Sequence, residues 1–374
     1  MKFYPFLFGV YPILLVYSAN INQVSIYKLF WPIAIVLLFV LLFQFFIDKY
    51  IKNNTKTGII TVTTLFFIFG YGHVLNLIKN LEINQIVFGR NLLFLPTWFL
   101  LFFIFYYLFL KKIKIKNAFN NLLTFISSFL LLSCFIVILS HLFFYKNIEN
   151  IILSNNNEIN NIKIDNPPNI YYIILDSYGR QDILKQFYNY DNSEFINYLK
   201  KKGFYVAKNS HSNYGHTHLS IPSILNFKYV NEIFNKKDSE LPIYMKKIIE
   251  KNKFCNILKF YNYKIIDFYK DAYGLDLKSD IYMSPDFYLD EFYIAIINTT
   301  IIRPILNVFN KSFFTVNAKT TDFFFKLRSK LDFVNNSRRN VILSAFKNLE
   351  KTTEIKGPFF AFCHIIAPHA PFVF

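Results

Sequence analysis

Asn169-Ile-Tyr-Tyr-Ile-Ile-Leu-Asp176 is an unbroken apolar run closed by a carboxylate. A run this short and this apolar reads as a strand buried on both faces of a parallel sheet. Its terminal Asp then points into the crevice beyond the strand ends. Downstream, the pattern keeps alternating. Asp191 or Ser193 can cap a helix running to Lys202, where Gly203 stops it. Residues 203–207, 263–269 and 358–364 read as further strands, and Thr217–Asn226, 289–310 and 341–351 as helices. Strands alternating with helices predict an α/β domain with a mostly parallel sheet over residues 169–374. Sites in such sheets lie beyond the carboxyl ends of the strands.

Upstream of this domain the chain changes character. Residues 146–168 are Asn-rich, end in Pro167-Pro168 and read as a linker. Residues 1–145 hold five apolar runs, at 3–18, 29–47, 59–78, 92–110 and 122–145. A spanning helix needs about 20 mostly apolar residues, so a helical membrane anchor of about five spans is expected. Lys2 before the first run resembles the start of a signal peptide, but Tyr17-Ser18-Ala19 is a poor cleavage site and the run reads as retained. Lys49, Lys52 and Lys56 mark the second loop, and Lys111, Lys112, Lys114 and Lys116 the fourth. Positive-inside bias puts both in the cytoplasm, leaving the α/β domain outside an inner (cytoplasmic) membrane. Trp31 and Trp98 sit where interfacial anchors sit, and His73 and His141 are expected to be interfacial or helix-contact residues.

Composition agrees. Hydrophobic residues make up 53% of 374, with 47 Phe, and charged residues only 17% against about 25% in a soluble chain. Ten Gly, 13 Pro and 3 Cys exclude collagen, low-complexity disorder and a disulfide scaffold. A disulfide between Cys255 and Cys363 remains open. The net charge of +17 splits as 11 basic to 2 acidic residues before 146, and 30 to 22 after it. A mildly basic outer domain suits an anionic substrate or a membrane surface. No nucleic-acid motif is present.

Three windows hold the candidate chemistry. Leu175-Asp176-Ser177-Tyr178-Gly179 offers a hard carboxylate for a divalent cation, or a cap for the next turn. Ser212 to Asn226 contains Gly215-His216-Thr217-His218 at a predicted helix start. A hydroxyl there is an N-cap or a nucleophile aimed at a phosphoryl or sulfuryl group. Pro358 to Phe372 runs a strand into His364 and His369, flanked by Pro. These are metal or oxyanion ligands, or structural histidines.

Together the windows and the membrane anchor resemble the alkaline phosphatase superfamily, in its sulfatase-like hydrolase and transferase branch. The likeness is closest to membrane-anchored lipoteichoic acid synthases and phosphoethanolamine transferases, and covers residues 169–226 and 358–372. The resemblance implies an alkaline phosphatase-like fold, a divalent metal (Zn, Mn, Mg or Ca) and a phosphate-ester substrate on a membrane lipid or envelope glycan. It makes Asp176 the metal ligand and Thr217 the metal-bound nucleophile. His369 and His364 would contact the transferred group or a second metal. Ser220-Ile221-Pro222-Ser223-Ile224 has Ile where the formylglycine motif of sulfatases needs Arg. That disfavours a formylglycine enzyme and leaves Ser220 as second nucleophile. Family members carry a further Asp-His pair beyond the His window, whereas this sequence ends at Phe374. The domain is therefore expected to be incomplete at its C-terminus and the chain inactive as written. A sulfate-ester hydrolase and a truncated, non-catalytic membrane protein are the alternatives.

Overall fold

The computed structural model describes residues 1–78, 82–83, 86–87, 91–108, 117–153, 165–233, 241–269, 275–285, 288–305, 333–370 and 372–374. In chain order the first elements are α1 (Tyr4–Ala19), α2 (Phe30–Ile51), α3 (Asn54–Ile78), the short strands β1 (Glu82–Ile83) and β2 (Ile86–Val87), α4 (Asn91–Tyr107) and α5 (Asn117–Leu153). There follow β3 (Ile170–Leu175), α6 (Gln181–Tyr188), α7 (Ser193–Lys201), α8 (Thr217–Asn226), α9 (Val230–Ile233), α10 (Leu241–Glu250), α11 (Lys253–Phe260), β4 (Lys264–Asp267) and β5 (Ile281–Tyr282). The last are α12 (Glu291–Thr299), α13 (Phe333–Lys351) and β6 (Phe359–Ile365). The chain divides into two compact units. One is Met1–Asn147 with Leu289–Ser337, the other Ile148–Tyr288 with Arg338–Phe374.

All five apolar runs form helices in the first unit. Three stretches, Ile26–Ile51, Asn54–Ile78 and Ala118–Phe143, are long and apolar enough to cross a membrane. α1 and α4 are shorter, at 16 and 17 residues. α2 and α5 leave most of their Phe and Leu surface uncovered, which suits hydrocarbon rather than water. Polar side chains inside the bundle find partners, as they must in lipid. Tyr4 donates to Asn120 Oδ1 at 3.2 Å, and Asn120 Nδ2 donates to Thr55 Oγ1 at 3.1 Å. His141 Nε2 lies 3.0 Å from Asn22 Oδ1 in the turn after α1. Trp98 departs from the anchor reading. It is buried and donates Nε1 to Phe67 O at 3.0 Å, because its indole packs in an aromatic cluster with Phe67 and Phe94. The Lys cluster of the fourth loop, together with Lys79 and Arg90, lies outside the described residues.

α12 also belongs to this unit. Asp290 caps it, accepting from Phe292 N at 2.8 Å, and takes a 2.6 Å ion pair from Lys28. Phe292 packs edge-on against Tyr17, their ring centroids 6.2 Å apart. Ile301 N donates to Ile68 O at 2.9 Å. Gly72 permits this approach, since a Cβ there would stand 2.7 Å from Thr299 Cα. Residues 306–310 of the predicted helix lie outside the described residues.

The second unit is built on a four-stranded, all-parallel sheet in the order β3-β6-β4-β5. Its register runs from Ile170↔Phe360 to Leu175↔Ile365 on one side of β6, and from Lys264↔Phe359 to Asp267↔Phe362 on the other. The central β6 is buried on both faces except at His364. Ile221, Leu225, Cys255 and Leu258 of α8 and α11 cover Phe360 and Phe362. Ile342 and Ala345 of α13 cover Phe359, Ala361 and Cys363. β3 departs from the reading of a strand buried on both faces. It lies at the sheet edge, so Tyr171 and Ile173 on one face stay exposed. Residues 203–207 form no strand. Phe204 and Tyr205 stand in solvent, and no core face gains from pairing them. α5 runs into the expected linker as far as Leu153, and residues 154–164 lie outside the described residues. Cys255 and Cys363 are both buried, free thiols.

Candidate functional site

Asp176 is the first residue beyond β3. Its N–H donates to Ile365 O at 2.9 Å, extending the ladder by one bond, and Tyr178 N closes a turn on Leu175 O at 3.1 Å. Between them Ser177 sits at φ 68°, a left-handed conformation unusual for a residue with a Cβ. Such conformations persist where the surroundings fix them and cluster at working sites. The turn does not use the Asp176 carboxylate to cap α6, whose N-cap is Arg180. Instead Asp176 Oδ2 lies 3.2 Å from His364 Nε2. His364 faces Ile174 across the ladder, near the same end of the sheet. Two adjacent parallel strands thus bring together a carboxylate and an imidazole 188 residues apart in sequence. The His364 hydrogen bond holds the Asp176 carboxyl below the usual range. Burial opposes this, while the charges of His364 and His369 reinforce it. His369 is exposed, with Nδ1 2.5 Å from Ala370 O.

The hydroxyl window folds into a second constellation. α8 starts at Thr217 with His216 as N-cap, and His216 makes no side-chain cap bond. Thr217 is therefore the first helical residue rather than the cap. Its hydroxyl has no hydrogen-bond partner among the described residues. The N–H groups of Leu219 and Ser220 go to His216 O. Those of Thr217 and His218 have no acceptor among the described residues, as expected in a first helical turn. The flanking imidazoles of His216 and His218 stack with centroids 5.4 Å apart. Burial, and then the His216 charge, push the His218 pKa down. Ser220 differs from Thr217 in being engaged. It donates to Asn213 Oδ1 at 2.5 Å, while Asn213 Nδ2 donates to Ser223 Oγ at 2.9 Å. Ser220 thus reads as a brace of the loop. No hydrogen bond or ion pair among the described residues joins Thr217 to Asp176, His364 or His369.

Arg180 was not legible as a site residue. Its Nη1 donates to Ser210 O at 2.9 Å and lies 3.4 Å from His211 Nε2. Its Nε and Nη2 donate to Asp182 at 2.6 and 2.8 Å. The side chain thereby ties the turn after Asp176 to the strap leading to Thr217. The one available signal was its place directly after the Asp-Ser-Tyr-Gly turn.

Among the described residues no three His, Cys, Asp or Glu side chains converge on one point. One carboxylate and one imidazole match a borderline divalent cation in kind. In number they fall short of the three protein ligands that a catalytic zinc site takes. No family model, no curated protein and no solved structure matches this chain.

Proposed function

We propose that this chain belongs to a membrane-anchored, divalent-metal-dependent phosphate-ester transferase or hydrolase, with Thr217 as its nucleophile. The observation that carries this reading is the pairing of Asp176 with His364 at the carboxyl end of a parallel sheet. Asp176, His364 and the Thr217 hydroxyl would hold the cation. When bound, a divalent cation offsets phosphate charge and lowers the pKa of a ligated hydroxyl. The free N–H groups at the start of α8 favour an anionic group beside Thr217. In the step proposed, Thr217 Oγ bonds to phosphorus and its proton passes to water. The bond from phosphorus to the ester oxygen breaks, and the leaving alkoxide takes up a proton from water. Water or an acceptor alcohol then releases the phosphoryl group from Thr217. His369 would contact the transferred group.

On this reading α1 and α4 cross the membrane as well, making five spans in an inner membrane. The second unit lies outside, where membrane lipids or envelope glycans bearing phosphate esters are the substrates, while α12 packs into the outer half of the bundle against Ile68 and Gly72. Lys28 of the first loop pairs with Asp290, and Asn22 of the same loop meets His141 near the end of the α5 span. Both contacts support one common outer end. The resemblance to the sulfatase-like branch of the alkaline phosphatase superfamily supports the chemistry.

The test uses membranes from cells expressing the gene product, supplied with Zn or Mn and a chromogenic phosphate ester. Thr217→Ala and Asp176→Asn are each expected to lower turnover by at least 100-fold (about 2.7 kcal/mol), with Thr217→Ser partly active. Turnover retained in Thr217→Ala sinks the assignment. Turnover of a sulfate ester in place of the phosphate ester favours the sulfohydrolase alternative.

A further inference from the structure

We infer that a groove between α1, α3 and α5 binds one acyl chain of a bilayer phospholipid, with the headgroup at the His73 end. The inference concerns the first unit alone and does not rest on the phosphoryl-transfer reading. The groove encloses about 350 Å³. Its walls are Phe8 and Leu15 from α1, Phe66 and Phe69 from α3, and Leu130 from α5. Its lining on α3 runs from Val62 to Val74. From Val62 to His73 is about 16 Å at the helical rise of 1.5 Å per residue. That is one leaflet of a hydrocarbon core about 30 Å thick.

Size decides between occupants. A volume of 350 Å³, or about 900 Å³ with the open mouth included, spread over about 16 Å leaves a cross-section of about 22–56 Å². A helix about 10 Å across needs about 80 Å², so a partner helix does not fit, whereas a single extended hydrocarbon chain does. Gly70 opens the groove. The atoms nearest to a Cβ there are those of the Phe66 ring, at 3.6 Å, an ordinary van der Waals contact. The lining is apolar except at Tyr11 and, at one end, His73. There His73 is exposed and its imidazole has no hydrogen-bond partner among the described residues. Apolar walls with a single terminal polar group are what a lipid tail with an ester and headgroup requires. Three of this unit's helical stretches are long and apolar enough to cross a membrane, so the bilayer supplies this ligand directly.

The probe is a phospholipid with a photoactivatable diazirine in its acyl chain, incorporated in lipid nanodiscs with the purified protein. Labelled residues are then mapped by peptide mass spectrometry. Labelling at Phe66, Phe69 and Leu130 is expected to exceed that at the open faces around Phe45 and Phe129 by at least fivefold. A diazirine near the glycerol should label His73 and Val74, and one at the chain terminus Val62 and Phe8. Gly70→Leu and Leu130→Trp fill the groove from two different walls. Each should cut groove labelling at least fivefold while leaving Phe45 unchanged. An unaltered thermal midpoint by circular dichroism checks that each variant folds, and either one suffices. Groove labelling equal to that at Phe45, labelling untouched by a folded filling variant, or the reverse order of headgroup and tail overturns the inference.

Discussion

Removing one partner of the Lys28–Asp290 pair tests whether α12 is held in the first unit by a buried charge. The two side chains are 8% and 10% exposed and 2.6 Å apart. They lie beside an apolar cluster that includes Val24, Leu29 and Phe292. Breaking a buried ion pair by removing one of its members costs about 3–5 kcal/mol. Asp290 also caps α12 through Phe292 N, which adds about 1 kcal/mol. Asp290→Ala should therefore lose about 4–6 kcal/mol, and Asp290→Asn, which keeps an acceptor for the cap, about 3–5. Lys28→Met should also lose about 3–5 kcal/mol. The double variant Lys28→Met/Asp290→Asn removes both charges and should fall within about 2 kcal/mol of the parent. Both tryptophans, Trp31 and Trp98, lie in this unit. Their fluorescence during thermal unfolding in nanodiscs therefore reads it directly. At about 2–4 °C per kcal/mol, a loss of 3 kcal/mol moves the midpoint by about 6–12 °C. Single-variant losses under about 0.5 kcal/mol, or losses that simply add in the double variant, would refute the reasoning.

Two further expectations concern the second unit. Burial raises the Asp267 pKa well above the usual carboxylate range, and Oδ2 has no partner among the described residues. A raised folded pKa means that the stabilisation is complete below about pH 4 and is lost as pH rises toward the folded value. Asp267→Asn should therefore gain stability over the parent between pH 4 and 8, measured by chemical denaturation, and parallel pH profiles would contradict it. For topology, Lys208 is exposed in the second unit and Lys52 in the second loop of the first. In cells with any outer membrane permeabilised, Lys208→Cys should react with an impermeant maleimide, and Lys52→Cys only after the inner membrane is broken. The opposite pattern would invert the orientation.

The parallel sheet was legible because its strands are short apolar runs ended by polar residues, as at Leu175-Asp176 and Cys363-His364. Periodicity could not tell the edge strand β3 from the central β6, since both read as continuous apolar runs. Their difference comes from strand order, which no local pattern encodes. Thr217–Asn226 was legible from its polar start and apolar interior. The free state of the Thr217 hydroxyl was not, because it depends on His216 taking the N-cap position. α12 was visible as a helix but not as a partner of α1 and α3. Its pairing rests on Lys28 and Asp290, 262 residues apart. The Asp176–His364 contact was not foreseen, although each residue was read near the end of a strand. Their adjacency needed the order β3-β6.

The central claim is that Thr217 is a nucleophile. Its most direct test is to react the full gene product in its membrane with a phosphate ester and Mn, quench in acid and sequence the α8 peptide by mass spectrometry. The account expects a phosphoryl group on Thr217 that is absent from Asp176→Asn and not shifted to Ser220 in the parent. An unmodified Thr217 under conditions where the ester is turned over would contradict it.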